Sequence, residues 1–212
     1  MVNVLDKVQP KNKAQLKSLI EYAFKHNIYD LNFIDTSKIT DMSWLFENVK
    51  HNFDVSSWDM SNVRNMSYMF YCCYDFNCDL SNWDVSNVTN MYSLFTRCNK
   101  FTGKGLENWD VSNVKNMAGM FIDCYKFNCD LSNWDVSNVT NMSTMFYYCK
   151  NLDCDLSNWD VSNVENMSYM FNRCYKFEGK GLENWDVSNL KHWENMFNEC
   201  TKLTCDLSSW QY

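Results

Sequence analysis

Asp130-Leu131-Ser132-Asn133-Trp134-Asp135-Val136-Ser137-Asn138-Val139-Thr140-Asn141-Met142-Ser143-Thr144-Met145-Phe146-Tyr147-Tyr148-Cys149 is one copy of a phrase that fills most of this 212-residue chain. Its Trp-Asp-Val-Ser-Asn core returns at Trp83, Trp109, Trp159 and Trp185, with a looser copy at Trp58 and a truncated one at Trp210. The steps between these tryptophans are 25, 26, 25, 25, 26 and 25 residues. A fixed period of this length marks a chain of coils, each burying its apolar face only against its neighbours.

Within the coil beginning at Phe76, Val88, Met91, Leu94, Phe95 and Cys98 recur at three- and four-residue spacing, which predicts a short helix over about 87–97. Asp84 or Ser86 stands where a helix N-cap would. Upstream, Cys78/Leu80 and Trp83/Val85 alternate, which predicts two short strands with a bend near Ser81-Asn82. Two coils carry an extra residue, Gly103-Lys104-Gly105 and Gly179-Lys180-Gly181, read as a bulge between helix and strand. The expected fold is therefore an α/β solenoid, a right-handed leucine-rich-repeat-like coil of about seven repeats. Each repeat would hold short parallel β-strands and a short helix. Leu16, Leu19, Ile20, Ala23 and Phe24 form one apolar stripe over Lys13 to His26, predicting an N-terminal capping helix. Residues 1–30 are then a cap and 31–212 one continuous repeat body, whose last coil has no separate cap.

Composition supports a folded body: 46% hydrophobic residues, 17% aromatic, and one proline, Pro10. No apolar run approaches the roughly 20 residues of a membrane span. Residues 1–12 are too polar for a signal peptide, so the expectation is a chain that stays in the cell, is a mature fragment, or leaves by another route. Residues 1–26 carry five Lys against Asp6 and Glu21, net +3, and the remainder 14 Lys/Arg against 24 Asp/Glu, net −10. An acidic body disfavours nucleic acid and anionic membrane as partners. Of eleven cysteines, Cys73, Cys98, Cys124, Cys149, Cys174 and Cys200 occupy one repeat phase, Cys78, Cys129, Cys154 and Cys205 another, and Cys72 stands alone. This pattern predicts free, mostly buried thiols and suits a reducing compartment.

The unit Asp130 to Cys149 resembles the BspA-like leucine-rich-repeat group, in particular its lipoprotein-associated 25-residue subfamily, and Asp30 to Ser37 resembles the entry to such arrays. The resemblance covers about residues 30–212. It implies a leucine-rich-repeat-like fold and bacterial surface or secreted proteins that take part in adhesion. This chain shows no lipobox cysteine or wall anchor, and the resemblance brings no catalytic residue.

Other constellations carry less. Asp59, Asp84, Asp110, Asp135, Asp160 and Asp186 form one column, and Asp79, Asp130, Asp155 and Asp206 a second. These read either as calcium ligands or as Asx-turns bonded to local amides. Asn65, Asn90, Asn116, Asn141 and Asn166 read as an inter-coil amide ladder. Gly103-Lys104-Gly105 lacks the third glycine of a phosphate loop. Three scattered histidines and no Cys-x-x-Cys give no zinc site, and no nucleophile constellation assembles. No cofactor and no enzymatic activity is expected.

Variation between coils concentrates after the Asn column: Tyr68, Tyr71, Tyr74, Tyr92, Arg97, Lys100, Tyr125, Lys126, Tyr147, Tyr148, Tyr169, Arg173, Tyr175 and Lys176. Tyr and Arg dominate binding hot spots, although Tyr bordering a Phe-rich core also rests half exposed. The functional expectation is a non-enzymatic protein-binding scaffold of the adhesion type. Its rivals are a subunit that self-assembles through the C-terminal coil as a homo-oligomer and a calcium-binding repeat protein.

Overall fold

The computed structural model describes residues 7–210. Its one α-helix, α1, spans Lys13–Lys25, with Asn12 as N-cap accepting from the Gln15 amide. Leu16, Ile20 and Ala23 are buried and join the same core as the coils.

The α/β solenoid expected from the sequence does not form. Among the described residues there is no sheet and no helix inside any coil; the only other helical elements are single 3-10 turns at Leu106–Asn108 and Leu182–Asn184. Parallel pairing is confined to isolated bridges: Val8 with Ile34, Asp30 with Asp54, and a run Asp41, Asn65, Asn90, Asn116, Asn141, Asn166, His192 along the Asn column.

The segment expected to be helical is a run of overlapping β-turns. In the second coil the Met69, Tyr71 and Cys73 amides donate to the carbonyls of Met66, Tyr68 and Phe70, three residues back. The intervening Met66, Tyr68, Phe70 and Cys72 amides point the other way, to Asn90, Tyr92, Leu94 and Thr96 of the next coil. Four such bonds join each coil to the next, from Met42→Asn65 through Arg173→Asn198. Half the amides thus close turns and half join coils, which satisfies the backbone without helix or sheet. Asn, Ser, Thr, Tyr and Phe are indifferent helix formers, so propensity does not oppose this solution.

Turns that reverse every few residues aim the spaced apolar side chains inward as a helix would. Phe46, Phe70, Phe95, Phe121, Phe146, Phe171 and Phe197 stack in one column at 5.3–5.8 Å with ring planes within 14°. The polar atoms of the Trp and Cys columns drawn into this core are answered by the coil before. The seven repeat tryptophans donate their indole N–H to carbonyls of Leu31, Val55, Leu80, Leu106, Leu131, Leu156 and Leu182 at 2.8–3.3 Å. The first cysteine column donates Sγ–H to the carbonyls of Phe46, Phe70, Phe95, Phe121, Phe146 and Phe171 at 2.8–3.1 Å. All eleven thiols are free and nine are buried.

The inter-coil amide ladder is built by a different column from the one expected. Asn62, Asn87, Asn113, Asn138, Asn163 and Asn189 donate Nδ2–H to the carbonyls of Ser37, Ser61, Ser86, Ser112, Ser137 and Ser162 at 2.7–2.9 Å. Asn65, Asn90 and their equivalents instead accept locally from the amide two residues on.

Candidate partner-binding face

The turn run needs a left-handed residue at the third position of alternate turns, a place that ordinarily favours glycine. Here only Gly119 supplies it. The other positions are Trp44 and Asn48, Tyr68 and Cys72, Ser93 and Arg97, Asp123, Thr144 and Tyr148, Tyr169 and Arg173, and Asn195 and Glu199, all at φ between 52° and 63°. Two strained columns therefore run the length of the stack, and most of their side chains are half-buried or exposed. They are also where the repeat varies. Residues held in this region cost about 1–2 kcal/mol each unless the surrounding structure fixes them, and here the inter-coil ladder does so.

The sequence-singled residues fall into two aromatic groups on this face. In the first, Trp44 stacks on Tyr68 at 3.7 Å, and Tyr68 meets Tyr71 at 5.6 Å and Tyr92 at 4.9 Å, edge to face. Burial, then the neighbouring Tyr92 hydroxyl, pushes the Tyr68 phenol up to about 12. In the second, Tyr148 is the centre, with Tyr125 at 5.4 Å, Tyr175 at 6.0 Å and Tyr147 at 6.5 Å. Lys150 Nζ lies 4.6 Å from the Tyr125 ring centre and 4.5 Å from that of Tyr148, with the Arg173 guanidinium 5.7 Å from Tyr148. Between the groups stand the small residues Ser93, Ala118 and Gly119. Arg97 pairs with Asp123 at 3.4 Å, Lys100 with Asp75 at 2.6 Å, and Arg173 with Glu199 at 3.2 Å. Tyr74 and Tyr169 are exposed outside both clusters, and Lys126 and Lys176 are exposed beside the second.

Sequence reading missed Trp44 and Lys150. Trp44 occupies the Tyr68 position of the degenerate first repeat, and Lys150 the Tyr125 and Tyr175 position of its coil, so aligning the columns would have found both.

The acidic columns serve the scaffold. Asp59, Asp84, Asp110, Asp135, Asp160 and Asp186 each accept from the amide of the serine two residues on at 3.0–3.1 Å, closing Asx-turns. The second column reads Asp54, Asp79, Lys104, Asp130, Asp155, Lys180, Asp206 through successive coils. Lys104 pairs with Asp79 at 2.7 Å, and Lys180 pairs with Asp155. These lysines hold Asp79 and Asp155 down to about 2, with help from Ser81 and Ser157. The Gly-Lys-Gly insertions are thus not bulges between helix and strand but turns that place a cation in a carboxylate column every third coil. Among the described residues no three His, Cys, Asp or Glu side chains come together to hold a metal.

The family model described as "Mycoplasma protein of unknown function, DUF285" matches the chain twice, over residues 14–128 and 95–210. The chain belongs to this family. The two matches overlap, as a repeat makes natural. No curated protein and no solved structure matches the chain. Among the described residues no helix is long and apolar enough to cross a membrane.

Proposed function

We propose that this DUF285 chain is a non-enzymatic interaction scaffold that binds a protein partner through the turn face. The observation that carries this reading is the coincidence of three properties in the same columns. They are strained, they vary from coil to coil, and they hold the half-buried or exposed Trp44, Tyr68, Tyr148, Tyr169 and Arg173. Strain retained at variable positions points to use of the side chains displayed there, and Tyr and Trp supply large contact area at low ordering cost. The resemblance to BspA-like proteins supports an adhesion-type role, whereas eleven unpaired thiols support a reducing compartment.

The test is affinity capture from the source cells, with the wild-type chain beside Tyr147→Ala/Tyr148→Ala and Tyr68→Ala variants of unchanged melting behaviour. A partner held by the wild type and lost by either variant is the expected result. Retention of every captured protein by both variants would remove the face from consideration.

A further inference from the structure

The turn face carries charge as well as rings. Two residues past the cysteine column, four coils place a lysine, Lys100, Lys126, Lys176 and Lys202, and the fifth coil places Lys150 one residue past it, at the Tyr125 and Tyr175 position. Adjacent coils are in register here, since the Lys100 amide donates to the Tyr74 carbonyl, Asn151 Nδ2–H to Tyr125 and the Thr201 hydroxyl to Tyr175. Elsewhere on the coils Lys104, Lys180 and Lys191 pair with Asp79, Asp155 and Glu165, while Lys38, Lys50 and Lys115 are scattered singly. Lys100 is also paired, with Asp75. Among the described residues Lys126, Lys150, Lys176 and Lys202 have no carboxylate within salt-bridge distance, although the chain as a whole is net −7. Of the acids on this face, Asp123 and Glu199 are engaged by Arg97 and Arg173, and the exposed Glu178 stands two residues beyond Lys176. Asp153 turns to the neighbouring groove with Asp130 and Asp155.

Resting on the reading of this face as a partner-binding surface, we infer that its partner is an acidic segment of another protein, laid in extended form along the lysine stripe of coils four to seven. Three inter-coil steps of about 4.8 Å span roughly 14 Å, the reach of about four extended residues at ~3.3 Å each. Carboxylates on such a segment meet the ammonium groups of Lys126, Lys176 and Lys202, with that of Lys150 held over the Tyr125 and Tyr148 rings between them. A nucleic acid fits less well. Lys150 and Arg173 already lie over the Tyr125 and Tyr148 rings, so those faces are not open for base stacking. The acidic columns elsewhere would also repel a long polyanion.

The experiment is fluorescence anisotropy on the full chain with three probes: labelled oligo-glutamate, labelled oligothymidylate of equal charge, and phosphatidylserine vesicles. Oligo-glutamate should bind at low salt and weaken about tenfold or more on raising salt to about 0.3 M. Lys126→Glu/Lys176→Glu and the triple variant that adds Lys150→Glu should each weaken it about tenfold or more, while Lys38→Glu/Lys115→Glu leaves it unchanged. The double variant spares the Lys150–Tyr contacts, so loss there is not a folding effect. Absence of oligo-glutamate binding, equal loss in the control variant, or tighter binding of oligothymidylate or vesicles would each overturn the inference. Failure of the broader reading looks different. A captured partner lost by Tyr147→Ala/Tyr148→Ala but retained by the lysine reversals keeps the face and discards the acidic segment.

Discussion

At the residue scale, cysteine is the instructive choice. The column from Cys73 to Cys200 needs a side chain small enough for the core and able to donate to a phenylalanine carbonyl of the preceding coil, and a thiol does both. Burial pushes the Cys73, Cys78 and Cys129 thiols up to about 12 and raises Cys98, Cys149 and Cys174 well above the usual range. An unfolded thiol ionises near 8.5. A raised folded pKa means that the native state holds its proton where the unfolded state has lost it. The stabilisation is therefore complete below about pH 8.5 and drains away as pH climbs toward 12. Each such thiol removes about 1.4 kcal/mol per pH unit in that window. Urea midpoints should accordingly be level between about pH 7 and 8 and fall steeply by about pH 10. A midpoint flat to pH 10 would show the thiols to be solvated. Brief alkylation at neutral pH should label Cys200 and Cys205 first, the two thiols that are only partly buried.

At the element scale, the coil is a compromise between turn geometry and side-chain choice. Thr144 is a β-branched residue at φ 55°, where Gly119 sits in the coil before. Thr144→Gly should raise stability by about 0.5–1 kcal/mol, the relief of left-handed strain less the entropy glycine adds to the unfolded chain. Gly105→Ala should do the reverse. At φ 95° its new Cβ would lie 2.2 Å from the Ser81 amide nitrogen, so a loss of at least about 2–3 kcal/mol is expected. Chemical denaturation of the two variants checks both signs. The same geometry explains what was legible. The inward set Val88, Met91, Leu94, Phe95 and Cys98 could be read from the sequence, and all five are buried. The conformation carrying them could not, because helices and overlapping turns both return a side chain to one face every three to four residues. What separates them is the acceptor of the alternate amides, which lies one repeat away and leaves no local mark. The Asp-x-Ser columns, by contrast, act within three residues, and the Asx-turn reading of them agrees with the bonds observed. The variable Tyr and Arg residues were visible as variation, but their division into two groups around Tyr68 and Tyr148 depends on stacking register.

At the scale of the whole molecule, the stack has a polarity. In the turn run each coil offers carbonyls to the coil before it and amides to the coil after it, while one amide per coil, from Arg64 through Lys191, donates to the coil before. At one end the first coil lies against α1, where Lys13 Nζ binds Asp41 Oδ2 and Ser43 Oγ and Phe24 approaches Phe46 at 6.4 Å. At the other, the amides of Asn195, Phe197 and Glu199 have no backbone acceptor among the described residues, and Leu190, Phe197, Leu203 and Leu207 are only partly buried. Two copies meeting through the seventh coil would set the donors of the two turn runs against one another, and head-to-tail stacking would require α1 to leave the first coil. The polarity of the turn run and the cover given by α1 therefore weigh against the self-assembling subunit, despite the apolar surface that favours it. The 212-residue chain should sediment as a monomer over a wide concentration range; a dimer dissolved by Phe197→Asp would reverse that judgement. Position along the stack should also grade the cost of truncation. Phe121→Ala, in mid-column between Phe95 and Phe146, should cost about 3–5 kcal/mol, whereas Phe197→Ala, packed by a coil on one side only, should cost about half as much. Equal losses in a denaturant titration would mean that the seventh coil is as well covered as the fourth, and that some other surface closes it.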